Sequence, residues 1–557
     1  MPRIPGPPRE AAPTQPLRVL SAEPDQSSHY RRPEPRSFTP EEVPSTTILF
    51  GNLTPWHDAL IEAVFQGCGY RCRALPTPGR TSYYTGVEYC NHGLCNPNYY
   101  TAGNLIDYLR NLQDQGFSAE EIVRDFVYFT IGGCGPCRFG MYESEYRQAL
   151  EDAGFPGFRV LTFLANTAIR EGSKHPGLRY TPNFGLGMLN ALILGDLLFD
   201  LSHRIRPFEA EPGATGAAFG EVLARLADFL RGRSHYEPFR RSPRGGLMRW
   251  AGILKRIRYH LRGADWKEAL AECCERLGQV RVDWLRVRPV VKVTGEFYSA
   301  LSEGDANHNL FRYLEQEGAE VRVDPITNLI LYWLYEARLN NRRRKGLRPG
   351  YLKKEALLRF SSWFWGRQYR EAARRLGGLA GEPEDQEKIG RLAHALYDTL
   401  ARGGEGHLVV GRALEAVEEG SCHLFINVKP FGCMPATQAD GVMALVAARH
   451  PELLFLPLET LGEGEVNVLN RVQMALADAR RRAREEFDAA LRSTGRTLEQ
   501  IRRFVGERPE MQSPFYRFRR KTPPAGTAAQ FVLHVAERME RERWPNGSQA
   551  SISARRP

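Results

Sequence analysis

From Ser45 onward the chain sets short apolar runs against longer segments with helical spacing. Ser45-Thr46-Thr47-Ile48-Leu49-Phe50 stops at Gly51 and Asn52 and reads as a buried strand. His57–Gly69 then carries apolar residues at helical intervals and ends on glycine. Three more strands follow, alternating with two helices. The strands are Tyr70–Pro76, Asp125–Gly133 and Phe158–Leu164, and the helices between them centre on Asn104–Gln113 and Phe139–Gly154. Strands alternating with helices of this length predict a parallel sheet with crossover helices.

The pattern changes over 166–285, where every periodic segment reads as helix. Alternation resumes at Arg288–Glu296, an apolar strand running into a loop. Ala319–Pro325, Cys422–Val428 and Glu452–Glu459 supply further strands, with helices between and after them. The expected fold is α/β: two Rossmann-like parallel-sheet domains, 46–165 and 286–490, joined by a helical region, 166–285. Eleven prolines without apolar periodicity make 1–45 a disordered tail. The charged, mixed stretch 491–557 is expected as a C-terminal tail with no assigned fold. No internal repeat of 20–50 residues is present.

Composition narrows the function classes. With 557 residues, 42% hydrophobic and 10% aromatic, the chain is mostly globular. The N-terminus lacks the apolar core of a secretory signal. The longest apolar stretch, Gly185–Phe199, is too short for a bilayer and is interrupted by Asp196. A cytoplasmic location is therefore expected, with no membrane partner. The net charge of +11 comes with Arg-rich runs that read as solvated surface. No zinc-finger, RRM or helix-turn-helix pattern points to nucleic acid. No phosphate-cradling glycine motif is present, so any ATP-derived energy is expected from a separate chain.

The ten cysteines fall into groups. Cys95 precedes a helix, Cys134 and Cys137 follow the strand at 125–133, and Cys433 follows the strand at 422–428. Ligands of open α/β sheets gather at strand C-terminal ends. Three distant segments thus offer four thiolates, the donor set of a cubane iron–sulfur cluster. Zinc, or no metal at all, stays open on spacing alone. Cys90 is the rival ligand and His92 a weaker one. Glu296 is either an acid/base group or a helix-start carboxylate, and Glu405 with His407 forms either a pocket wall or a turn. Cys68, Cys72, Cys273, Cys274 and Cys422 read as small buried hydrophobes.

Taken together, four segments resemble a known family. They are EYCNHGLCNPNYYTAGNLIDYL, GGCGPCRFGMYESEYRQAL, GEGHLVVGRALEAVEEGSCHLFINVKPFGCMPA and ELLFLPLETLGEGEVNVLNRVQMAL, the last with Glu465, Asn467 and Asn470 in the motif. In this order they resemble 2-hydroxyglutaryl-CoA dehydratase-related iron–sulfur proteins, and more narrowly the dehydratase-like module associated with acyl-CoA dehydratase activases. The resemblance covers roughly 46–165 and 286–480. It implies a [4Fe-4S] cluster with Cys95, Cys134, Cys137 and Cys433 as ligands. It also implies an ATP-dependent activase or reductase partner chain and an acyl-CoA substrate; a dimer is a separate expectation that the sequence does not fix. In such systems one low-potential electron passes to a 2-hydroxyacyl-CoA thioester and water leaves by way of a ketyl radical. The implied function is therefore electron transfer or radical dehydration of an acyl-CoA. The alternative is a non-enzymatic scaffold holding zinc or a structural cluster.

Overall fold

Two sheets of four parallel strands organise the protein in its computed structural model. The structure describes residues 36–133, 137–164, 175–238, 246–347, 349–401, 404–518, 523–542 and 544. The chain divides into Met1–Arg36 and Ser37–Pro557, and the sheets belong to the second unit. The first sheet contains β1 (Thr47–Phe50), β2 (Arg71–Ala74), β3 (Phe126–Gly132) and β4 (Arg159–Leu164), in the order β2-β1-β3-β4. The second contains β5 (Val290–Gly295), β6 (Glu320–Val323), β7 (Leu424–Pro430) and β8 (Phe455–Thr460), in the order β6-β5-β7-β8. Six of the eight strands fall within the expected runs, and β7 and β8 overlap theirs but continue past them, to Pro430 and Thr460. The fold is α/β, with the same strand order in both sheets.

The inner strands β1, β5 and β7 are buried along most of their length because helices cover both faces of a parallel sheet, whereas the edge strand β2 alternates, with Arg71 and Arg73 exposed. Val290, Val291 and Val293 in β5, and Leu424, Phe425, Ile426 and Val428 in β7, are fully buried. Register pairs Ile48 with both Cys72 and Val127, and Val293 with both Val323 and Ile426. Each parallel connection runs through helices, as a chain that must return to the same edge requires.

Between the sheets the described residues contain the helices Pro182–Ile205, Ala214–Arg233, Gly246–Arg262 and Ala264–Gly278, with one isolated antiparallel bridge, Glu209–Val282. Pro182–Phe208 is the one helical segment among the described residues long and apolar enough to cross a membrane, yet 78% of its apolar window is buried inside the protein. It is a core helix. Asp196, which interrupts its apolar run, is fully buried. The carboxylate accepts from the Ile326 N–H (2.6 Å), the Thr327 N–H (2.9 Å) and the Thr327 hydroxyl (2.7 Å), and lies 3.2 Å from His57 Nε2. It thus caps the helix Ile326–Arg343 and ties it to the helix Pro55–Gly67.

The ends of the chain differ from expectation. Residues 1–35, most of the proline-rich segment, lie outside the described residues. Phe38, within the expected tail, is fully buried, and Glu42 pairs with Arg159 at 3.0 Å. Beyond residue 490 the chain forms the helices Leu498–Gly506 and Thr527–Arg541. Ile501, Phe504, Phe531, Val532, Val535 and Met539 join the main core. Their spacing is helical, but the many Arg and Glu residues on the opposite face mask it in the sequence.

Candidate functional site

Strand order reverses between β1 and β3 in the first sheet and between β5 and β7 in the second, and the crevices outside these strand ends are the natural ligand positions. Strand β3 ends at Gly132, just before Cys134 and Cys137. Strand β7 ends at Pro430, followed by Phe431-Gly432-Cys433. Strand β5 ends at Gly295, followed by Glu296.

The C-terminal edges of the two sheets face each other, and the cysteine-bearing turns meet there. Gly432 adopts φ +76°, and a Cβ on it would stand 3.0 Å from Arg138 Nη2 and 3.7 Å from the Leu94 carbonyl oxygen. Arg138 also donates to the Gly93 carbonyl. Leu94-Cys95, Cys137-Arg138 and Gly432-Cys433 are therefore contiguous. Close by, the Phe139 and Phe297 rings pack edge to face with centroids 6.2 Å apart. Any side chain at position 432 would strain the backbone and displace Arg138.

Each described cysteine of this group begins a helix. Cys95 is the N-cap of Asn96–Asp114 and Cys433 the N-cap of Met434–Arg449. Cys137 precedes the short 3₁₀ turn Arg138–Met141 that leads into Tyr142–Asp152. No N-cap side-chain bond forms at any of the three. Their sulfurs thus sit at the positive ends of helix dipoles, an environment that favours a thiolate or an anionic cluster. Cys95 and Cys433 are buried, and Cys137 is half-buried. The Cys95 sulfur lies 2.8 Å from the Tyr142 hydroxyl. Cys134 lies outside the described residues.

Desolvation dominates the electrostatics. It pushes the Cys137 thiol up to about 11, with Glu405, Glu296 and Cys95 adding to the effect. Cys433 is raised by burial and then by Glu296, Glu405 and Cys137. Cys95 is raised by burial and also feels Glu296, while Tyr142 and Arg138 oppose the rise. The three sulfurs and two carboxyls share one electrostatic neighbourhood. Without a cation the sulfurs rest as thiols, and a bound metal removes that penalty.

The carboxyls are placed by their own helices. Glu296 is the N-cap of Phe297–Leu301 and accepts from the Tyr298 N–H (3.1 Å) and the Ser299 N–H (3.0 Å). Glu296 therefore starts a helix, as one of its two readings expects, and its charge also acts on all three cysteines. Desolvation raises its pKa, with the two N–H donors opposing. Glu405 precedes the helix Gly406–Glu419 and is pushed up to about 8 by desolvation and by Glu296, with Arg412 pulling the other way. The two carboxyls titrate as a pair. Gly404 lies against Pro435, which brings the Glu405 turn onto the first turn of the Cys433 helix.

The remaining candidates separate from this group. Cys90 is the C-cap of Arg80–Tyr89. Its thiol is pushed up to about 12 by burial and by Glu145, with Asn98 as a hydrogen-bond partner. His92 is exposed. His407 is buried against the Tyr332 and Tyr335 rings, and burial together with Arg412 lowers it to about 4, so it forms a neutral wall. Arg138 and Tyr142 escaped the sequence reading. Both lie within five residues of Cys137, but only the folded contact marks them. A cavity of about 610 Å³ lies elsewhere, bordered by His203, Arg206, Arg286, Arg288 and Arg312, and none of the cysteines lines it.

Among the described residues no group of three His, Cys, Asp or Glu side chains is arranged round a single ion. A cubane binds each thiolate through a different iron and needs sulfurs spread round a bulky core. Contiguous turns at helix N-termini, with a glycine at the closest approach, suit that requirement. No family model and no curated protein matches the chain.

Proposed function

We propose that the protein is an iron–sulfur protein in which Cys95, Cys134, Cys137 and Cys433 hold a [4Fe-4S] cluster between the facing edges of its two sheets. The observation that carries this reading is the contact of Gly432 with Arg138 and Leu94, which joins the three cysteine-bearing turns. When bound, the cluster supplies one-electron transfer. The protein residues do the rest. The helix N-termini offset negative charge, and Tyr142 fixes the Cys95 sulfur. Glu405 and Glu296 hold a proton inside the site near neutral pH, and Phe139 and Phe297 exclude water beside it. The finer reading, from the motif resemblance, is a component of a 2-hydroxyacyl-CoA dehydratase system in the cytoplasm. A separate ATP-dependent activase energises it, and it serves either electron transfer or dehydration. In the dehydration reading, the neutral Glu405 carboxyl is the proton donor for a departing hydroxyl.

Anaerobic purification followed by iron, sulfide and zinc analysis tests the proposal. The expected result is brown protein with about four iron and four sulfide per chain and an EPR signal after reduction. Cys134→Ser and Cys137→Ser should each lose the cluster, whereas Cys273→Ser should keep it. Stoichiometric zinc without sulfide supports the scaffold alternative instead. Unchanged iron in both Cys134→Ser and Cys137→Ser overturns the ligand assignment.

A further inference from the structure

The helices Ile326–Arg343 and Tyr351–Arg375 pack against each other as a hairpin inserted between β6 and β7. The first half of the second helix is turned inside out. Its acid, Glu355, is buried and held by Arg359 (3.0 Å), Asn341 (3.4 Å) and Arg338 (3.5 Å). The large apolar side chains of the same stretch face solvent instead. Leu352 is 78% exposed, Leu357 61%, Phe360 56% and Trp363 53%, and Leu347 in the connection is 79% exposed. Leu352, Phe360 and Trp363 lie on one stripe at helical spacing, and the Phe360 and Trp363 rings stand 5.7 Å apart.

Charge of one sign surrounds this stripe. From Arg338 to Arg367 the sequence has ten Lys and Arg against one Glu, so this hairpin tip carries +9 of the net +11. Arg338, Arg342 and Arg359 are committed to Glu355. Arg343, Arg344, Lys345, Lys353, Lys354 and Arg367 have no carboxylate partner among the described residues.

Leaving so many large apolar side chains in water costs stability, so a face of this kind marks an interaction site. Nucleic acid would meet the charge but offers Leu352 and Leu357 nothing to pack against. An anionic lipid surface meets both, since its headgroups pair with Lys and Arg while its acyl boundary takes Leu, Phe and Trp. We propose that the tip of this hairpin is a peripheral docking surface for anionic membranes, with Leu352, Leu357, Phe360 and Trp363 entering the headgroup–acyl boundary. This surface stands independently of the cysteine site.

Co-sedimentation of the full chain with vesicles tests it. Phosphatidylcholine vesicles containing phosphatidylserine should bind about tenfold more protein than phosphatidylcholine alone, and the difference should shrink as salt rises. Phe360→Ser with Trp363→Ser, and separately Lys353→Glu with Lys354→Glu, should each lower binding about tenfold with unchanged circular dichroism. In the unaltered chain, brominated lipid in the mixed vesicles should quench tryptophan emission. The proposal is overturned if the chain ignores phosphatidylserine vesicles at low salt. It is equally overturned if brominated lipid leaves emission unchanged, if Phe360→Ser with Trp363→Ser binds undiminished, or if the tip captures an acidic protein but no vesicle.

Discussion

The Glu405 carboxyl shares its surroundings with the Cys137 and Cys433 thiols and with Glu296, and this company sets how the apoprotein responds to pH. A carboxyl raised from an ordinary value to about 8 binds more protons folded than unfolded. Stability therefore falls as pH rises from the unfolded pKa toward 8, and the loss is complete above it. Glu405→Gln removes the share of this dependence that Glu405 contributes and leaves that of Glu296. The apo variant should match the native chain near pH 4.5 and exceed it by about 1–3 kcal/mol near pH 8, as read from urea midpoints. A native-like loss of stability across that window in the variant would show that Glu405 is not the raised group. At this scale the sequence was informative for residues whose type alone suggests chemistry. Cys95, Cys137, Cys433, Glu296 and Glu405 were all visible as candidates. Tyr142 and Arg138 were not, because a tyrosine on a helix and an arginine after a cysteine gain meaning only from the partner that packing supplies.

Buried polar contacts as well as apolar packing join the elements of this protein. The helix Pro182–Ile205 illustrates the point. Its sequence reads as an apolar stretch spoiled by Asp196. In the fold, Asp196 is the residue that anchors the helix Ile326–Arg343, and Gly195 leaves the space in which the His57 ring lies. Asp196→Ala would leave two N–H groups, a hydroxyl and a histidine without their acceptor in a dry core. The expected cost is about 3 kcal/mol, measurable as a lower urea midpoint with an unchanged slope. A loss of only a few tenths of a kcal/mol would mean that water replaces the carboxylate there. Helix and strand types were legible from periodicity for most of the chain. The helices beyond residue 490 were not. In Thr527–Arg541 the stripe Phe531, Val532, Val535 and Met539 is short, and Glu537, Arg538, Glu540 and Arg541 crowd its C-terminal end.

At the scale of the molecule, the two sheets repeat one strand order although their sequences show no repeat. Strand order depends on which edges pair, and apolar runs of similar length and composition carry little record of that choice. The sequence thus indicated two parallel sheets but not that their C-terminal edges face each other. Several contacts hold that arrangement. The Arg80 N–H donates to Asp305 (2.9 Å), the Tyr100 hydroxyl donates to the Asp305 carbonyl (3.1 Å), and the Trp56 indole donates to Glu303 (3.2 Å). The proposed ligands come from both sides of this junction, three from the first sheet's half and Cys433 from the second. A cluster bound by all four would therefore clamp the halves, and binding free energy would appear as folding free energy. Anaerobic reconstitution should raise the melting temperature of the native chain by several degrees above the apo form. Cys433→Ser keeps the ligands of the first half but severs the clamp, so its reconstituted and apo forms should melt together. If Cys433→Ser gains as much as the native chain, the metal lies within the first half alone and the bridge between the sheets carries no cluster.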